Sequence, residues 1–103
     1  MNFNEYQIEA ATTAIYQEKM YPITSLMVEA AELADLFIKP YLRGDEGQPK
    51  REDIISEAGD VLWNLAAILS DHNIPLARVA QMNLQKLQDR KARGVLQGSG
   101  DHR

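Results

Sequence analysis

Residues 27–39 read MVEAAELADLFIK, and Pro40 follows them. Apolar side chains recur here every three or four positions, the period of a helix and not of a strand. Met27, Ala31, Ala34 and Ile38 share one face, while Glu29 falls between Leu33 and Leu36, inside an apolar sector. The stretch is expected to be a helix capped by Thr24 or Ser25 and stopped after Lys39 by Pro40. Just before it, YPIT at 21–24 is expected to break the chain, because Pro22 lacks a donor and disfavours helical geometry in the residue preceding it.

Residues 4–19 place Tyr6, Ile8, Ala10, Ala11, Ala14 and Ile15 at near-helical spacing, with Asn4 as the expected N-cap. Residues 41–49, YLRGDEGQP, read as a loop. A third helix is expected from between Lys50 and Asp53 to about Asp71, its early acids matching the helix dipole. A fourth is expected to open at Pro75 and end at Gly94. The segment 94–103 is glycine-rich and is expected to be a flexible tail. No alternating β-branched run and no internal repeat occurs, so the fold class is all-α with about four helices.

The 103 residues, 45% hydrophobic and 25% charged, fit a single domain spanning 1–103. A net charge of −4 makes a poor match to the phosphate backbone, so a nucleic-acid polymer is not the expected partner. The absence of cysteine excludes disulfides, thiolate zinc sites and a cysteine nucleophile. MNFNEYQIEA has neither the basic nor the apolar region of a signal peptide, and no membrane segment is visible. The expected location is cytoplasmic.

EAAE places Glu29 and Glu32 three apart on one helix, and EAGD does the same with Glu57 and Asp60 on the next. Like charges at this spacing repel, so neither pair strengthens its own helix. Alone, each pair reads as a solvated face. Their flanks argue otherwise: the stripe Asp53, Glu57, Asp60 and Asn64 is bordered by Val61 and Ile68 on one side and by Trp63 and Ala67 on the other. Four anions partly desolvated by helix packing need a positive partner, and carboxylate oxygens suit Mg²⁺ or Mn²⁺. Only His72 and His102 are present, so the Glu-x-x-His pair of a di-iron bundle is missing.

In NLQKLQDRKAR, Asn83, Lys86 and Arg90 share one face of the fourth helix and can bind phosphate oxygens. Cations near a helix end are favoured by the dipole regardless of function. Combined with a carboxylate cage, they meet the needs of a metal-bound polyphosphate. The charge divides the same way: residues 29–60 hold nine acids and four bases, whereas residues 61–103 hold six bases and three acids.

Both acidic pairs in order, the NxxKLxxR pattern of Asn83, Lys86, Leu87 and Arg90, and the closing GSGDHR resemble the MazG-like, all-α nucleoside triphosphate pyrophosphohydrolases of the short, single-domain phage and bacterial type. Ala31 stands where many of those proteins carry Gly, a change that leaves the acids untouched. The resemblance implies a bundle of four or five helices assembled by helix packing between subunits as a dimer or a dimer of dimers. It also implies hydrolysis of (d)NTP to (d)NMP and pyrophosphate with Mg²⁺ or Mn²⁺, in control of the nucleotide pool. Glu29, Glu32, Glu57 and Asp60 are then the expected metal ligands, with Glu29 or Glu32 as the catalytic base. Asn83, Lys86 and Arg90 are the expected phosphate contacts.

Tyr16, Tyr21, Tyr41 and Trp63 are candidates for stacking on a base, although an aromatic at helical spacing is more often core. Helices with apolar sectors this wide carry more apolar surface than one short chain covers, so self-association is expected independently of the resemblance. Two other readings compete: a relative specific for one nucleotide (dUTP, dCTP, dGTP or phosphoribosyl-ATP), and a non-catalytic helical dimerisation or adaptor module.

Overall fold

A computed structural model describes residues 1–103 as four helices without strands: α1 Phe3–Ala11, α2 Met20–Arg43, α3 Arg51–Asp71 and α4 Leu76–Arg93. None of them is long and apolar enough to cross a membrane.

Helix α1 opens at Asn2, not Asn4. The Glu5 amide donates to Asn2 Oδ1 at 2.8 Å, and the Asn2 amide donates to Glu5 Oε1 at 3.1 Å, a reciprocal capping box. Asn4 is used elsewhere: its Oδ1 accepts from the Ala77 amide at 3.2 Å, at the start of α4. The helix also ends at Ala11, well short of residue 19. Thr12 and Thr13 turn their hydroxyls onto the carbonyls of Glu9 and Ala10 at 2.6 and 2.7 Å, the local bonding by which threonine competes with a helical ladder.

Helix α2 is longer at both ends than the sequence suggests. Pro22 is its third residue and is buried, in the first turn, where a missing N–H costs nothing because that donor has no intrahelical partner. Thr24, expected as a cap, lies inside, with its hydroxyl on Met20 and Tyr21 carbonyls at 3.1 Å. Pro40 does not stop the helix either; it forgoes one bond in the last turn, and Gly44 at φ 79° ends α2 instead. There the Asp45 amide reaches Pro40 O at 2.9 Å and the Gly44 amide reaches Tyr41 O at 3.1 Å. Helix α3 lies where expected, and Pro75 serves as the N-cap of α4.

α2 and α3 form the main hairpin, α1 lies on α3, and α4 is tied to α1. Gln7, buried, makes that tie: its Nε2 donates to Ile74 O at 2.9 Å and its Oε1 accepts from the Leu76 amide at 2.8 Å. Replacing Gln7 with Leu leaves that amide without a partner and is expected to cost about 2 kcal/mol, measured by urea unfolding. The segment 94–103, expected to be a flexible tail, is folded back onto α4 by hydrogen bonds from Lys86, Arg90 and Arg93.

The chain closes little core by itself. Its fully enclosed apolar residues are Ala66, Ala67, Leu76 and Pro22, and the radius of gyration is 16.5 Å, against about 13 Å for a compact chain of this length. Its accessible surface of 7940 Å² is about 2,100 Å² more than a compact monomer of this mass exposes.

Candidate functional site

The α2–α3 hairpin brings the acids together. One oxygen each of Glu29, Glu57 and Asp60 lies within 4.8 Å of the others. Oε2 of Glu29 and Oε2 of Glu57 are enclosed and have no hydrogen-bond partner. Burial is the first cause that raises both carboxyls above the usual glutamate range, and the surrounding acids add to it. For Glu29 these are Glu32, Asp60 and Glu57; for Glu57 they are Glu32, Asp60 and Asp53. Glu32 therefore belongs to the same cluster, although it is more exposed and outside the tight trio. Uncompensated negative charge of this kind is what a hard divalent cation stabilises.

Asn64, one turn beyond Asp60, is 3% exposed. Its Nδ2 donates to Asp60 O at 2.9 Å and its Oδ1 faces the interior unpartnered. Its position in the Asp53–Asn64 stripe signals it in the sequence. Tyr6 was not legible as a neighbour of the site, because α1 reaches it only through tertiary packing; burial and then the charge of Asp60 raise its phenol.

The basic stripe lies elsewhere. The charges that raise Glu29 and Glu57 are acids, and no ion pair joins the cluster to α4. Lys86 Nζ and Arg90 Nη2 instead both donate to Asp101 Oδ1, at 3.0 and 3.2 Å. Asn83 is exposed. One chain thus assembles Glu29, Glu57 and Asp60 with Glu32 at their margin, while α4, which carries Asn83, Lys86 and Arg90, packs on α1.

Tyr16 stacks on Tyr21 with centroids 5.6 Å apart and meets Trp63 edge-on at 6.2 Å. Trp63 Nε1 donates to Thr13 Oγ1 at 2.8 Å and the Tyr16 hydroxyl donates to Asp71 at 2.7 Å; burial first, and then that bond, push the phenol up to about 12. Tyr16 and Trp63 wall a cavity of about 260 Å³ whose other lining includes Ala10, Ala14, Ala66 and Ala67. Tyr41 stands apart, on the last turn of α2.

A family model of the MazG nucleotide pyrophosphohydrolase domain matches residues 17–95, which hold α2, α3 and α4. The Gene 37 protein of Mycobacterium phage L5 is 41% identical over an alignment of 115 positions that covers all of both chains. No solved structure matches the chain.

Proposed function

Because this chain belongs to the MazG nucleotide pyrophosphohydrolase family, we propose that it hydrolyses (deoxy)nucleoside triphosphates to the monophosphate and pyrophosphate, with a role in controlling the nucleotide pool. The observation that carries this reading is the acid trio with two enclosed, unpartnered carboxylate oxygens. Those oxygens fit a divalent cation held by Glu29, Glu32, Glu57 and Asp60. Bound there, Mg²⁺ or Mn²⁺ would supply positive charge to the triphosphate and the Lewis acidity that makes water a usable nucleophile near neutral pH.

The chain's own groups divide the remaining work. Glu29, or Glu32 beside it, takes a proton from the attacking water. The water oxygen bonds to the α-phosphorus as the α–β anhydride bond breaks, and pyrophosphate departs with the bonding pair. Lys86 and Arg90 meet its charge, and Asn83 donates a neutral hydrogen bond. Since α4 does not meet the acids of its own chain, these contacts come from a second copy. The excess surface of the single chain supports such a homo-oligomer, a dimer or a dimer of dimers.

Thermal unfolding tests the metal reading without requiring turnover. Mn²⁺ at about 100 times its dissociation constant is expected to stabilise the protein by about 2.7 kcal/mol. An unmoved melting curve favours a non-catalytic helical module.

A further inference from the structure

Residues 94–103 form a closed loop held by bonds among its own residues and by donors from the end of α4. Gly94, Gly98 and Gly100 adopt φ of 72°, 129° and 87°, a region that suits glycine. Arg103 then spans the loop: its Nη1 donates to Gly100 O at 2.6 Å, its Nε to Val95 O at 3.2 Å and its Nη2 to Leu96 O at 3.4 Å. Arg93 Nη2 in turn donates to Arg103 O at 2.7 Å. A Cβ on Gly98 would come within 3.2 Å of Arg103 Cδ, so that glycine also makes room for the clasp.

This loop returns Asp101 to α4. Lys86 and Arg90 sit one turn apart on the helix, where like charges repel. The Arg90 side chain is only 7% exposed, and a guanidinium so enclosed needs a countercharge. Asp101 Oδ1 takes both donors, so the two cationic heads converge on one atom.

We infer that Asp101 is a positioning residue: it gathers Lys86 and Arg90 into one anion seat, and the Arg103-clasped loop holds it there. Lys86 spends one N–H on Asp101 and keeps two for a phosphate oxygen, and its side chain is 44% exposed. Arg90 acts from behind as a fixed charge. The two bases hold the Asp101 carboxyl below its usual range, so the carboxylate persists throughout neutral pH. This inference rests on the proposed role of Lys86 and Arg90 as triphosphate contacts.

The test is calorimetric titration of the full chain with α,β-imido analogues of the four dNTPs in Mg²⁺, which resist cleavage of the α–β bond. Asp101→Asn is expected to weaken binding about tenfold, and Asp101→Glu to restore it to within about threefold. Arg103→Gln, which opens the loop without touching the seat, is expected to weaken binding as Asp101→Asn does, and it stands in for that variant if the latter fails to fold. Unchanged binding in Asp101→Asn would mean that the loop is structural only. Tighter binding would make Asp101 a competitor of phosphate, and either result overturns the inference. Lys86→Gln separates the two levels: if it leaves affinity unchanged, the phosphate role of α4 fails and this inference with it. If Lys86→Gln weakens binding while Asp101→Asn and Arg103→Gln do not, only the positioning role fails.

Discussion

Replacing Glu57 with Gln is expected to lower nucleotide hydrolysis by at least about 100-fold and, in the same protein, to raise the melting temperature measured without metal. The two effects have one cause. Glu57 Oε2 is enclosed without a partner and faces Glu32, Asp60 and Asp53. Its carboxyl, like that of Glu29, holds a proton to higher pH in the folded chain than in the unfolded one. From the ordinary value of 4.5 upward to the raised folded value, the native state binds more protons, so stability falls as pH rises; above the folded value the loss is complete. Glutamine copies the neutral form, so the variant should melt higher than the parent at pH 8, with the difference shrinking toward pH 5. A cation needs the charged form, so the same change removes a ligand and the stabilisation by Mn²⁺. A variant that melts like the parent at both pH values would show that the acids are solvated and independent.

In the proposed homo-oligomer, Met27→Asp is expected to leave a poorly folded monomer. Met27 is 71% exposed on the single chain, on the α2 face that also carries Ala31, Ala34 and Ile38. Surface changes with no buried partner usually shift stability by less than about 0.5 kcal/mol. Burying an unpaired carboxylate between two copies costs several kcal/mol. Because one chain encloses so few apolar residues, losing the partner surface leaves little to hold the hairpin. Light scattering at micromolar concentration reads the mass, and near-ultraviolet circular dichroism around Trp63 and the tyrosines reads the packing. A variant with parental mass and spectrum would mean that this face stays in water.

What was legible in the sequence is what local periodicity encodes. The bounds of α3 and the opening of α4 at Pro75 follow from spacing and end signals, and the acid pairs follow from the three-residue interval that joins Glu29 to Glu32 and Glu57 to Asp60. Proline was misread twice because its cost depends on which helical turn it occupies. At Pro22 the missing donor falls in the first turn, where none is paired, whereas at Pro40 one bond is forgone in a last turn that Gly44 closes anyway. Glycine is ambiguous at 94–103, since it serves both mobile chain and turns with positive φ. Only Arg103 and Asp101, distant partners of Val95 and Lys86, separate the two cases. The position of α4 was not legible at all. The face shared by Lys86 and Arg90 is a local fact, whereas the Gln7 tie that sends α4 toward α1 spans 67 and 69 residues of sequence.

Phosphorus NMR of the products formed from the four dNTPs in Mg²⁺ tests the central claim most directly, with Glu57→Gln run in parallel. Deoxynucleoside monophosphate and pyrophosphate are expected in equal amounts from at least one dNTP, with at least about 100-fold less of both from the variant at matched enzyme concentration. Release of diphosphate and orthophosphate, or equal turnover by the variant, would contradict it.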